Sequence, residues 1–194
     1  MSVKNFYYNL LLVLLIGTVS ISVTAQQFDV VDEVPHDISY FRTSRISPPL
    51  VKVLYGRPSK KNEKVFGSLI PYGEIWRTGH NEATEVKFYH DLKFGDTKVK
   101  AGTYVLLTIP YEKEWRIILN TQLDTWGAFQ YNPLFNVAEI SVPTRKAEEL
   151  ETFSIVFKQR KEHIEMILGW DTTRVRVPLQ FKEQRLSVAH RIER

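Results

Sequence analysis

The stretch Tyr72-Gly-Glu-Ile-Trp-Arg-Thr-Gly-His-Asn-Glu-Ala-Thr84 crowds more chemically capable side chains together than any other part of the chain. Trp76 offers an indole for stacking on a sugar or apolar ring. Arg77 offers a guanidinium for a carboxylate or phosphate. Asn81 and Glu82 follow Gly79, so a turn can aim an amide and a carboxylate at one small cavity. Glu82 is then a candidate general acid or base, on condition that burial raises its pKa. Each residue has a structural alternative. Trp76 can be a core aromatic with Arg77 packed along it, while Asn81 and Glu82 bond the loop backbone.

Several reaction types are excluded. His80-Asn-Glu82 echoes the His-x-Glu of zinc deaminases, but that chemistry needs cysteine ligands and the chain has none. His80, Glu82, His90 and Asp91 match no metal-binding spacing, so no metal is assigned. No Gly-x-Ser-x-Gly elbow occurs, and no glycine pattern opens a phosphate-cradling loop, so no cofactor is assigned either. Glycoside hydrolysis would pair Glu82 with Glu74 or Asp171 at a separation that sequence does not give. Trp126, Tyr131 and Trp170 are candidate sugar platforms, with core packing as the alternative.

These residues must be positioned by a scaffold. The chain has 194 residues and a formal net charge of +4. Its basic residues are interleaved with acids and form no aromatic-studded stripe, which argues against nucleic acid. Residues 1–25 read as a cleaved signal peptide. Lys4 gives a positive start, Leu10 to Ile16 an apolar run, and Ser22-Val-Thr-Ala25 a small-residue cleavage site. The apolar run is short for a membrane span, so no stable insertion is expected after cleavage. A periplasmic or secreted protein without cysteines must hold its core without disulfides.

Residues 26–49 read as an extended lead-in, in which Asp37 to Phe41 forms a short strand or lies over the domain. Residues 50–181 read as the body and 182–194 as a polar tail. Leu50 to Arg57 alternates as a strand, with Val51, Val53 and Tyr55 on one face. Glu63 to Leu69 is expected to make one helical turn capped by Asn62, with Val65, Phe66 and Leu69 inward. Leu92 to Val99 reads as a hairpin around Gly95-Asp96. Thr103 to Ile109 is apolar enough for burial on both faces. Glu114 to Asn120 places Trp115, Ile117 and Leu119 inside. Gln122 to Phe135 is a long loop. Val137–Val142, Thr152–Phe157, His163–Trp170 and Arg174–Phe181 follow as strands. The class is all-β, a single-domain antiparallel β-sandwich or flattened barrel.

Several phrases occur together: Val53-Leu-Tyr-Gly-Arg-Pro58, Phe66-Gly-Ser-Leu-Ile-Pro-Tyr-Gly73, Trp76-Arg-Thr-Gly79, Asn81-Glu-Ala-Thr84, Ala101-Gly-Thr-Tyr104, Trp126-Gly127 and Leu168-Gly-Trp-Asp171 with Thr173-Arg-Val-Arg-Val-Pro178. In these the chain resembles the DUF2911 family, from about Asp37 to Pro178. The resemblance implies an exported, all-β single domain of the kind found largely in Bacteroidota, with no established reaction. His80 stands where the family motif has a small residue, so a shared role should not depend on that imidazole.

The expected site has a floor of Trp76, Arg77, His80, Asn81 and Glu82, with Tyr55, Arg57, Trp126 and Arg174 as walls. The leading reading is a non-catalytic, envelope-associated binding module for a glycan or a small anionic ligand. A second is a hydrolase or lyase with Glu82 as acid or base and Arg77 anchoring an anionic group. A third is a purely structural envelope protein. Whether the chain is an enzyme, and its oligomeric state, are not set by the sequence. Edman sequencing of protein recovered from the periplasm or medium should begin at Gln26; an intact Met1 would remove the cleaved signal.

Overall fold

The computed structural model describes residues 34–181. The signal segment 1–25, the first part of the lead-in and the tail 182–194 lie outside the described residues. Nine strands follow in order: β1 (His36–Arg42), β2 (Pro49–Gly56), β3 (Glu85–Phe88), β4 (Leu92–Phe94), β5 (Thr97–Val99), β6 (Gly102–Pro110), β7 (Glu114–Asn120), β8 (Asn136–Gln159) and β9 (Ile164–Phe181). All pairings are antiparallel, and the order across the sheet is β1-β2-β3-β6-β7-β8-β9-β4-β5. The fold is all-β, as its alternating patterns predict.

Chain connectivity forces this sheet to double over. β3 ends at Phe88 and β4 begins at Leu92, yet the two strands lie five places apart in the sheet. Five places span about 24 Å in a flat sheet, whereas four extended residues reach only about 14 Å. The two layers of the expected sandwich are therefore the two arms of one open sheet. The segment leaving β2 strengthens the closure: Ser59 bridges Thr152, Phe153 N–H donates to Pro58 O at 2.9 Å, and Lys60 N–H donates to Glu151 O at 2.9 Å.

Between the arms lies one core. Val51, Val53 and Tyr55 come from β2, Trp115, Ile117 and Leu119 from β7, and Phe153 and Ile155 from β8. Its centre is aromatic. Trp76 stacks on Trp170 with ring centroids 6.0 Å apart, and Phe153 and Trp115 meet Trp76 edge-on. A smaller cluster of Ala83, Val105, Leu107 and Ile118 occupies the other face of β6 and β7, with Ile75, Ile109 and Tyr131 against it. That explains why β6 is apolar on both faces.

β8 and β9 are each one long strand where alternation suggests two. The inward set of β9 runs Met166, Leu168, Trp170 and then Val175, Val177, Leu179, Phe181. Its phase changes from even to odd across Asp171, which sits at φ +49°. β8 is irregular opposite, between Lys146 and Ser154. A side-chain period of two makes such a phase change look like a strand end.

The helical turn expected at Glu63–Leu69 is absent. Lys61 and Asn62 are both left-handed (φ +51° and +64°), so Asn62 does not cap a helix. A tight loop forms instead, closed by Ile70 N–H on Val65 O at 2.9 Å. Val65 and Phe66 are drawn into the core, while Leu69 is left 43% exposed. The lead-in supplies the edge strand β1.

The irregular stretch is held by charge. Lys60, almost wholly covered, reaches Glu149 at 2.6 Å and Asp171 at 2.9 Å. Burial pushes the Asp171 carboxyl up, but Lys60 and the backbone N–H groups of Val65 and Thr172 outweigh it and hold it below the usual carboxylate range. A depressed folded-state pKa stabilises the fold above the ordinary value near ~4, and that contribution is lost as pH falls through the depressed value. Asp171→Asn should therefore lower Tm at neutral pH and flatten the loss of Tm between about pH 5 and about pH 2. Melts followed by circular dichroism across that range check this.

Candidate functional site

The central stretch is an excursion from the edge of β6. β3 covers β6 only as far as Val105. Beyond it, Leu106 N–H donates to Thr84 O at 2.8 Å, and Trp76 and Thr108 exchange backbone bonds of 2.7 and 2.9 Å. The chain leaves this ladder after Trp76 and rejoins it at Thr84, whose N–H donates to Arg77 O at 3.1 Å. Inside the excursion, Thr84 Oγ1 donates to Thr78 O at 2.8 Å and Thr78 Oγ1 meets Thr108 Oγ1 at 3.2 Å. All three threonines are fully buried. The Trp76 indole N–H donates to Gly79 O at 3.1 Å.

This interior bonding decides where the candidate residues lie. Trp76 is a core residue and offers no surface for stacking. His80 is pressed against β2: a Cβ on Gly56 would meet His80 O at 2.2 Å, so only glycine fits there. Its Nδ1 is buried without a hydrogen-bond partner. Arg77 is half-buried, its Nε has no partner, and it makes no ion pair with Glu82. Burial pulls its pKa below the usual arginine range.

Asn81 and Glu82 form the outer rim. Asn81 adopts φ +59° and its carbonyl accepts from Gly127 N–H at 3.0 Å, while Ala83 N–H donates to Thr125 O at 2.9 Å. These bonds lock Glu82 opposite Trp126. Residues directly opposite in an antiparallel pair share a face, so the carboxylate and the indole emerge together. Trp126 is 57% exposed and Phe129 is 73% exposed, with ring centroids 5.4 Å apart. Glu82 Oε2 lies 3.1 Å from His36 Nε2 on β1. The Glu82 side chain is 60% exposed, so it lacks the desolvation that the acid–base reading requires.

The remaining wall residues go elsewhere. Tyr55 is buried; its hydroxyl donates to Asp37 Oδ2 at 3.1 Å and accepts from Ile155 N–H at 3.1 Å. Arg57 faces Asp37 and Thr152 at 3.5 Å each. Both residues stitch β1 and β2 to β8. Arg174 lies in the irregular stretch, donating to the carbonyls of Asp171, Thr173 and Glu148. Of the nine residues expected at the site, the fold unites Asn81, Glu82 and Trp126. It adds His36, which lies far away in sequence, and Phe129, whose placement near Trp126 was the one available signal. Among the described residues, no group of three or more His, Cys, Asp or Glu is placed to hold a metal. No helix among them is long and apolar enough to cross a membrane.

Two tryptophans thus separate support from contact. Trp76→Ala should cost about 3–5 kcal/mol in urea unfolding, as a truncated core aromatic. Trp126→Ala should stay within about 0.5 kcal/mol of wild type, as a surface change.

Neither a curated protein nor a solved structure matches the chain. A model of one protein family, described as a protein of unknown function (DUF2911), matches residues 41–179. With most of its length covered and the quoted motifs inside that range, the chain belongs to the DUF2911 family.

Proposed function

We propose that this chain is an exported, non-catalytic binding module that holds a glycan on the Trp126–Phe129 surface. The observation that carries this reading is the exposed ring pair, fixed by backbone bonds beside the Glu82 carboxylate and the His36 imidazole. Exposed aromatic rings lose apolar surface to water when a sugar face covers them, and flanking polar groups orient its hydroxyls. The neighbouring ionised group is a carboxylate, which favours a neutral glycan over an anion at this surface. Export rests on the sequence of residues 1–25.

Glu82→Gln and Trp126→Ala proteins on a glycan array, followed by calorimetry, test the reading. Wild type should bind a neutral oligosaccharide without cleaving it. Trp126→Ala should weaken binding at least about tenfold, the scale of a lost ring-stacking contact of ~1.4 kcal/mol. Turnover by wild type and simple retention by Glu82→Gln would replace this reading with the hydrolase or lyase.

A further inference from the structure

A second concave site lies at the turn of the β6–β7 hairpin, the end away from the loop that carries the aromatic pair. It is a cleft of about 550 Å³ between the turn after β6, the start of the irregular part of β8, the Asp171 segment of β9 and the loop that precedes the central stretch. Lys64, Lys113, Arg145 and Lys146 line it. None of these four cations has an ion-pair partner among the described residues. Several cations elsewhere are paired, Lys93 with Asp96, Lys100 with Asp91, Arg116 with Glu139, and Arg160 and Arg176 with Glu165, while others stand singly on the strands; in the cleft four single cations converge. Two acids also line the cleft, Glu112 and Asp171. Asp171 is already engaged by Lys60 at 2.9 Å. A positive excess is left.

Backbone placement brings three of the cations together. Thr144 N–H donates to Lys113 O at 3.0 Å, and Thr144 Oγ1 donates to Glu112 O at 2.8 Å. These bonds hold Lys113 beside Arg145 and Lys146. Gly73 N–H on Pro110 O at 2.8 Å brings Tyr72 to the same rim. The Tyr72 ring lies over Gly67, where a Cβ would meet it at 2.6 Å. Arg145 also stands directly across from Arg174 in the β8–β9 ladder, but the Arg174 guanidinium is taken up by the carbonyls of Asp171, Thr173 and Glu148 and leaves Arg145 to face the cleft. The four cations are exposed around the cleft, and together they raise its local positive potential and attract anions.

We propose that this cleft binds a small molecule carrying two or more phosphate or sulfate groups. Lysines supply point charges and Arg145 a planar fork for the oxyanion oxygens. The volume suits a ligand the size of a sugar derivative, and the Tyr72 ring provides a face for it. This site is independent of the glycan surface, and either can fail alone.

Calorimetry of the purified protein with two probes tests it: inorganic pyrophosphate and a fully sulfated disaccharide, in buffer of physiological ionic strength. Saturable binding of pyrophosphate points to a phosphate compound, and of the disaccharide to a sulfated sugar; either supports the proposal. Lys113→Glu/Lys146→Glu should weaken that binding by roughly tenfold or more, since charge-assisted hydrogen bonds are lost. Lys93→Glu/Lys98→Glu, the same charge change at a cleft on the β4–β5 hairpin, should leave it within about twofold. Equal losses in both variants would mean that only net charge matters and overturn the site. So would the absence of binding by both probes.

Discussion

The stacking of Trp76 on Trp170 across the core ties the two arms of the sheet together, and both candidate sites grow from its ends. Trp76 is the last residue before the central excursion, and Trp170 the last before Asp171 turns left-handed. Each indole is anchored by its own N–H, Trp76 to Gly79 O and Trp170 to Glu151 O. Buried aromatic pairs of this kind carry much of the apolar burial of a sandwich core and also fix orientation. The chain on either side can then depart from regular strand geometry, because the departure begins from a fixed point.

Both departures use the same device. In the excursion, Thr78 and Asn81 adopt positive φ; the Thr84 hydroxyl donates to the Thr78 carbonyl and the Thr78 hydroxyl to that of Thr108, so these buried groups are bonded although they lie off the ladder. In β9, Asp171 adopts positive φ, and Lys60 with two backbone N–H groups satisfies its carboxylate. Non-glycine residues at positive φ persist only when their surroundings over-determine them. Here hydrogen bonds and an ion pair do so. The consequence in the excursion is a rim of side chains turned away from the core, with Glu82 beside Trp126; in β9 it is the change of side-chain phase.

Membership in the DUF2911 family and the all-β class agree with the motifs and alternation that the sequence displays. The strand patterns of β2, β6 and β7, and the β4–β5 hairpin, were legible because a period of two is a local property of adjacent residues. The single long β8 and β9 were not, because a phase change at Asp171 looks like an end when only neighbours are considered. The turn at Glu63–Leu69 was misread for a related reason. Its apolar spacing fits a helix, but the pull of Val65 and Phe66 into the aromatic core prevails over that local preference.

The candidate site divides along the same line. By itself, the sequence determined that Trp76, Arg77, Asn81 and Glu82 would occupy one loop and that an aromatic-rich loop lay at Gln122–Phe135. Only the tertiary structure decided which tryptophan faces water. Trp76 and Trp126 are equally apolar, yet one pairs with β6 over the core while the other pairs with Glu82 outside it. The His36–Glu82 contact and the cationic cleft were also beyond reach. Their members come from segments far apart in the chain, brought together by strand pairing: β1 on β2 beside the excursion in one, β7 on β8 and β8 on β9 in the other. Burial and charge density are set by that non-local pairing, which no spacing along the chain encodes.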